Sequence, residues 1–470
     1  MKPFFITSER GQLSSKMAMK IIVKSGLRRY NELTIKWFCT SKRRIHGVTM
    51  MPSTKSTTAW AEVDKDGKLT LPADIISRYG LEPGSKVRLD EELNFVRMHR
   101  PVTQLTKIYI EPTVACNLDC ITCFRNCWDQ PLGRMSGITF NEIIKGLQSI
   151  DPIPDVYFGG IGEPLFHPKT VEWVAKVKQL GVKVELITNG TILTENISRK
   201  LIEAGLDILW ISIDGATPET YADVRLGAEL PTIVNNIKRF AEMRPASHFP
   251  KPEIGIAFVA MKRNISDLPK VIQMGKSLKA KYYSISNLQP ATKEMQDDRL
   301  YVQTMHNIAF LQAPHLPRLS LPRIDFNQDT SEALILTFNS QLSISFAGNH
   351  WGGANDTCNF VESGTMSIAW NGDVSPCWPL MHTHTSYLHG KPRLSKKHVI
   401  GNVTDKTLIN LWLDPEYVAY RERLHNFVFA PCSFCGGCDL SETNEEDCIG
   451  NTKFPVCGGC LWAQGIIQCP

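Results

Sequence analysis

Between residues 128 and 357 the 470-residue chain has no cysteine, although it holds 14 in all. Four lie between Cys116 and Cys127, nine between Cys358 and Cys469, and Cys39 stands alone near the start. Thiols that merely fill a core would scatter, so two tight groups point to metal sites. No run of 18 apolar residues occurs, which excludes a membrane-spanning helix. An apolar segment with a small-residue cleavage site is also missing, so the cysteines do not read as the disulfides of a secreted chain and a cytoplasmic location is expected. Nor is there an excess of one charge along the body of the chain. The net charge of +5 comes from residues 1–49, where 11 Lys and Arg meet 2 Glu, and taking that +9 from +5 leaves −4 for residues 50–470. Nucleic-acid binding gains no support from such a balance.

A composition of 43% hydrophobic and 21% charged residues fits two to four globular domains. Residues 1–50 read as a disordered extension or as sequence upstream of a true start at Met50 or Met51, with a cleavable targeting segment as the alternative. From 55 to 100, alternating residues around Asp66 and Gly67 signal a hairpin, a short helix follows, and Pro83 with Gly84 marks a second turn. From 101 to 320, short apolar runs alternate with helical stretches, the pattern of βα units on a parallel sheet. Strands are expected near 106–112, 155–160, 182–188, 207–214, 253–260 and 281–288, and helices near 139–150, 168–180, 194–204, 229–243 and 266–279. Six units cannot close an eight-stranded barrel. The expected fold class is therefore α/β, a partial (β/α)6 TIM-like barrel with its chemistry at the carboxyl ends of the strands. Residues 321–350 read as a connector. In the Gly- and Cys-rich stretch 351–470, metals rather than an apolar core are expected to hold the chain together.

Cys116, Cys120 and Cys123 follow the first of those strands in the spacing C-x3-C-x2-C. Three thiolates can hold three irons of a four-iron cluster and leave the fourth open to a small molecule. Zinc is the competing reading, but it usually takes paired C-x2-C hooks and four ligands. The run Cys-Asn-Leu-Asp-Cys-Ile-Thr-Cys resembles the signature of the radical S-adenosylmethionine (SAM) enzymes. That resemblance implies a [4Fe–4S] cluster that binds SAM at its open iron, with Cys116, Cys120 and Cys123 as the catalytic thiolates and a 5′-deoxyadenosyl radical as the agent. Thr122 stands where the family commonly has an aromatic, and Phe124 is expected on the adenine instead. Cys127 is either a spare buried thiol or a further ligand.

Later strand ends carry further marks of the family. Phe158 to Pro164 resembles its GGEP segment, implying Gly159, Gly160 and Glu163 at the amino end of SAM. Ile187–Thr191 and Ile211–Ala216 are similar to two more, implying Asn189, Ser212 and Asp214 as cofactor contacts, with Arg225 pairing with the methionine carboxylate. Helix capping and an αL turn remain the alternatives at these positions. Cys358, Gly372 and Cys377 match the opening of the SPASM extension, which carries auxiliary four-iron clusters. Cys432, Cys435, Cys438, Cys448, Cys457, Cys460 and Cys469 follow in a spacing that departs from the family's, so which thiolate serves which cluster stays open. Two closed clusters need eight of these nine thiolates, and seven suffice if one cluster is open. Zinc ribbons are the alternative for the C-x2-C pairs. His382, His384 and His389 are either metal ligands or exposed loop histidines.

Residues 55–100 resemble the AbrB-type swapped-hairpin module, whose members dimerise and often bind DNA. With the closing run Cys457–Pro470, that start resembles the radical SAM maturases associated with tungsten-cofactor oxidoreductases. The resemblance implies a protein-bound or pterin-type substrate, an electron donor such as ferredoxin or flavodoxin, a homodimer through the hairpin module, and one or two auxiliary [4Fe–4S] clusters. A second reading is a maturase of Cys, Thr or another side chain in a ribosomal peptide, although no winged-helix peptide-binding element is evident in residues 1–105. A third is a redox-sensing DNA-binding regulator, which asks for a basic face on residues 57–100 where Lys and Arg are instead balanced by Asp and Glu.

Overall fold

The computed structural model describes residues 60–302 apart from 93, 94 and 129, residues 358–470 apart from 431, 436 and 437, and short pieces at 18–19, 37–38, 318–321, 327, 329–330, 332–333, 343–346 and 349–350. The extension expected over 1–50 and the connector over 321–350 therefore lie largely outside the described residues. Two compact units divide the chain, Met1–Pro72 and Ala73–Pro470. In the first, Glu62–Val63 pairs antiparallel with Leu69–Thr70 around Gly67, whose φ of 77° suits a residue without Cβ. In the second, helix Ala73–Arg78 precedes a hairpin of Leu89–Glu92 with Phe95–Met98. His99 joins that hairpin to the body, its ring held between Asp90 and Glu362 at 2.8 and 2.7 Å.

Six strands, β1 (Lys107–Ile110), β2 (Asp155–Phe158), β3 (Val184–Thr188), β4 (Ile208–Ser212), β5 (Glu253–Ala260) and β6 (Ala280–Asn287), lie side by side in chain order and all parallel. Helices α1 (Gly137–Gln148), α2 (Thr170–Lys178), α3 (Glu195–Glu203), α4 (Leu230–Met243) and α5 (Leu268–Ser277) make the crossovers. Local signals set them. Ser136 caps α1 by accepting from Thr139 N–H at 3.0 Å, and Phe140, Ile143 and Leu147 recur on one face and are fully buried. Phe140 stacks on Trp173 of α2 at 4.4 Å. Burial of each such side chain contributes about 2 kcal/mol.

The strands alternate with period two. Ile108, Ile110, Val156, Phe158, Leu209 and Ile211 pack under the helices, whereas Tyr109, Tyr157, Ile208 and Trp210 face a second apolar cluster with Leu461, Trp462, Ile466 and Ile467. The open half barrel is thus filled by residues from the far end of the chain. Its sheet also continues past β1: β7 (Thr365–Ile368) pairs parallel to β1, then β8 (Asp373–Ser375) antiparallel to β7. A hairpin of β9 (His384–Leu388) and β10 (Lys391–Ser395) follows, and β11 (Gly401–Asn402) closes the edge beside β8. Met366, Ile368, Val374, Leu408, Leu411 and Trp412 join the main core. This corrects the expectation that metals in place of an apolar core hold residues 351–470. These six apolar residues fall in elements of only three to five residues, too short to stand out as periodic runs, yet they pack against the barrel's exposed edge.

Candidate active site

The chain leaves β1 at Glu111 and curls over the barrel mouth. Thr113 holds the turn, donating to Gly133 O at 2.7 Å and accepting from Ala115 N–H at 3.0 Å. Cys116, Cys120 and Cys123 line one cavity of about 300 Å³ at the carboxyl ends of the strands. Donors converge on the sulfurs: Leu118 N–H stands 3.4 Å and the Asn189 amide 3.8 Å from Cys116 Sγ, and Arg225 Nη1 stands 4.0 Å from Cys120 Sγ. Burial pushes the Cys120 thiol up while Arg225 pulls it back down. Arg125 lines the same cavity, and its Nε is buried without a partner among the described residues. Two guanidinium groups, one of them with an orphaned donor, around three thiols fit an anionic thiolate-bound group. No three His, Cys, Asp or Glu among the described residues converge closely enough for a single metal ion. A four-iron cluster asks for a wider set, since each thiolate binds a different iron.

Gly160, Glu163, Asn189, Ser212 and Arg225 line the cavity, as does Phe124. Gly160 must be small because a Cβ there would meet the Glu111 side chain at 2.5 Å. Glu163 is fully committed: Oε1 accepts from Leu165 N–H at 3.0 Å and from Thr188 Oγ1 at 2.8 Å, and Oε2 from Asn189 N–H at 2.6 Å. Burial raises it to about 7. Its geometry holds the β3 turn in place. Asn189 forms a turn of its own, Oδ1 accepting from Thr191 N–H at 2.9 Å, while its amide reaches toward Cys116.

Two of the expected cofactor contacts are not among the residues that line the cavity. Asp214 does not face the cavity; it is 0% exposed, with Oδ2 at 2.7 Å from both Arg225 Nε and Nη2 and Oδ1 accepting from Val259 N–H at 2.7 Å. Its carboxylate is consumed in aiming Arg225. Gly159 does not itself line the cavity; a Cβ there would meet Tyr157 and Ile187, which do. The third glycine of that segment, Gly162, is the close approach, since a Cβ there would sit 2.2 Å from Thr113 O. Cys127 points its Sγ at Phe124 O and Thr385 O, both at 3.2 Å, and burial pushes it up to about 11, as for a protonated thiol.

The later cysteines whose side chains are described sort in space in a way their spacing does not announce. Cys358, Cys377, Cys457 and Cys460 line one small pocket. Burial first, then the Cys358, Cys460 and Cys457 thiols, push Cys377 well up, and burial with Cys460 pushes Cys358 up to about 12. Cys432 is raised by burial and then, after the opposing pull of Arg393, by Asp447, Cys448 and Cys438. Cys435 stands on the same short helix as Cys432. Asp447 fixes that second loop, accepting from Ala430 N–H at 3.0 Å and from Asn451 N–H at 3.0 Å. Cys469 belongs to neither set. It lines the main cavity beside Tyr109 and Tyr157.

The histidines are not exposed loop residues. His382 and His384 are buried, and the ring of His382 meets Glu111 Oε2 at 2.6 Å, while Glu111 Oε1 accepts from Ile161 N–H at 3.0 Å. His389 meets Ser433 O at 2.6 Å, so the three do not share a point. Sequence reasoning passed over Glu111, whose only signal is an acid ending an apolar strand. It also passed over Trp378, Trp462, Ile467, Gln468 and Pro470, which wall the cavity from far along the chain, and read Cys469 beside them as a cluster ligand.

Residues 110–250 match the radical SAM superfamily, and residues 358–439 match the SPASM iron–sulfur cluster-binding domain. The first implies a [4Fe–4S] cluster that binds SAM, and the second auxiliary iron–sulfur clusters. A tungsten-containing aldehyde ferredoxin oxidoreductase cofactor-modifying protein of Pyrococcus furiosus is 29% identical over 380 residues, 77% of this chain and 96% of that protein. A probable GTP 3′,8-cyclase of Methanocaldococcus jannaschii is 28% identical over 221 residues, 43% of this chain and 72% of that one. The crystal structure of Streptococcus suis SuiB bound to precursor peptide SuiA superposes with a TM-score of 0.47 at 16% identity, covering 74% of this chain and 72% of the other.

Proposed function

We propose that this chain, a radical SAM enzyme with a SPASM domain, acts in the maturation of a tungsten-cofactor oxidoreductase, on a protein-bound or pterin-type substrate. The observation that carries the chemistry is the placement of Cys116, Cys120 and Cys123 in one walled cavity with Arg125, Arg225 and Ser212. The choice of substrate rests on the Pyrococcus furiosus relative, which aligns over 96% of its length. When bound, the cluster and SAM supply a 5′-deoxyadenosyl radical.

The chain's own residues do the rest. Cys116, Cys120 and Cys123 hold the cluster, and Phe124 meets the adenine. Gly160 lets the backbone approach the amino end of SAM, where the Asn189 turn stands. Ser212 takes a ribose hydroxyl or the carboxylate, and Arg225, aimed by Asp214, takes the methionine carboxylate. Trp378, Trp462 and residues 467–470 keep water from the radical. Gln468 N–H donates to Ser286 Oγ at 3.1 Å and Asn287 Nδ2 to Ile466 O at 2.8 Å, which pins that wall across β6. The sets Cys358, Cys377, Cys457, Cys460 and Cys432, Cys435, Cys438, Cys448 are proposed to hold one auxiliary cluster each, leaving Cys469 free in the cavity. A reduced ferredoxin or flavodoxin supplies electrons. Exposed Val63 and Leu69 in one hairpin, and Leu89 and Val96 in the other, offer apolar surface for a homodimer.

The test is anaerobic reconstitution, then incubation with SAM, a strong reductant and a tungsten-free oxidoreductase with its pterin cofactor. Deoxyadenosine formed in step with a change in cofactor mass supports the proposal. Deoxyadenosine that appears only with a peptide substrate favours the ribosomal-peptide reading, and none under any condition refutes both.

A further inference from the structure

Arg393, on β10, is 5% exposed. A guanidinium taken out of water needs negative partners, yet no carboxylate pairs with it among the described residues. Its surroundings are the two auxiliary thiol sets. On one side Nη1 donates to Ser441 O, in the turn whose Ser441 Oγ donates to Cys438 O at 2.6 Å. On the other, the guanidinium rests on the peptide between Cys457 and Cys460, where a Cβ added to Gly459 would lie 2.7 Å from its central carbon. Arg393 also lines the pocket that holds Cys358, Cys377, Cys457 and Cys460. Burial lowers its proton affinity, and Cys432, Cys460 and Cys457 push back against that loss.

We infer that Arg393 is a single buried cation shared by both auxiliary sites, offsetting the negative charge of each cluster and setting the reduction potentials of the two together. The inference rests on the proposed division of eight thiolates into two four-iron clusters. Each added electron makes a thiolate-bound cluster more anionic, and a fixed cation beside it favours the reduced state. Gly459 has a reason in this picture, since any side chain there would push the guanidinium away.

The test compares the wild type with Arg393→Gln and Arg393→Lys, each full-length and reconstituted without oxygen. Iron and sulfide are counted, and the clusters are then titrated electrochemically with EPR detection, SAM being added to identify the cluster that binds it. The wild type should hold about twelve irons, four per cluster. Arg393→Gln should keep them and become about tenfold harder to reduce at both auxiliary clusters, a shift of about 59 mV for a one-electron couple, with the SAM-responsive signal unmoved. Lys should restore most of the loss. Full iron with unmoved potentials, or a shift at one auxiliary cluster alone, overturns the shared role. About eight irons in the wild type overturns the two-cluster division itself, and the shared role with it. Should Gln lose auxiliary iron, retention in Lys supports the role of charge, and loss in both overturns it.

Discussion

Replacing Asp214 with Asn keeps shape and removes one buried charge behind Arg225, which lines the cavity. In the native protein Asp214 is fully buried and takes two donors of Arg225 at 2.7 Å. Burial works against the Arg225 charge, and Asp214 and then Cys120 overcome it and push the guanidinium up. Removing one member of a buried ion pair costs about 3–5 kcal/mol because the other is left uncompensated. Asn can still accept from Val259 N–H, so the low end, about 3 kcal/mol, is expected. Arg225 Nη1 lies 4.0 Å from Cys120 Sγ, so thiolates on a cluster would supply part of the lost charge. The cost should therefore be smaller by about 1 kcal/mol or more in reconstituted protein than in cluster-free protein. The assay is urea unfolding of both forms by tryptophan fluorescence, within a double-mutant cycle against Arg225→Met. A coupling energy below about 0.5 kcal/mol, or the same cost with and without cluster, would refute the reasoning.

Three further outcomes are expected. Cys120→Ala should abolish deoxyadenosine formation from SAM and reductant while about eight irons remain; unchanged production would remove Cys120 from the site. Gly162→Ala places a methyl group 2.2 Å from the Thr113 carbonyl, and, as backbone cannot step aside, should cost about 3 kcal/mol and weaken SAM binding in a titration; an unaffected variant would contradict the close approach. Burial raises Glu163 from its ordinary 4.5 to about 7, so between those values the folded state keeps a proton that the unfolded chain has released. Stability should then fall as pH rises through that window, by up to about 3 kcal/mol, and be fully present only below about pH 4.5. Urea midpoints across the window should slope less in Glu163→Gln, and equal slopes would show that Glu163 does not titrate there.

Sequence alone settled whatever rests on short-range pattern. Six apolar runs spaced by helical stretches could only bury both faces as a parallel α/β sheet, and a C-x3-C-x2-C loop after the first of them carries its chemistry within eight residues. That Cys116, Cys120 and Cys123 come together at the strand ends was legible for that reason, and Gly160 and Glu163 were legible from their place after the second strand as residues that line the same cavity. What depends on distant segments meeting was decided by the fold. The direction of Asp214, inward to Arg225 rather than out to the cavity, follows from where β5 places Val259 N–H. The sorting of Cys358, Cys377, Cys457 and Cys460 into one pocket, with Cys469 left on the cavity wall, joins residues more than a hundred positions apart. Glu111 with His382 and the filling of the lumen by Leu461, Trp462, Ile466 and Ile467 have the same origin. No periodicity encodes such meetings, because they arise only when an open barrel edge and its empty lumen must be covered by whatever apolar chain can reach them.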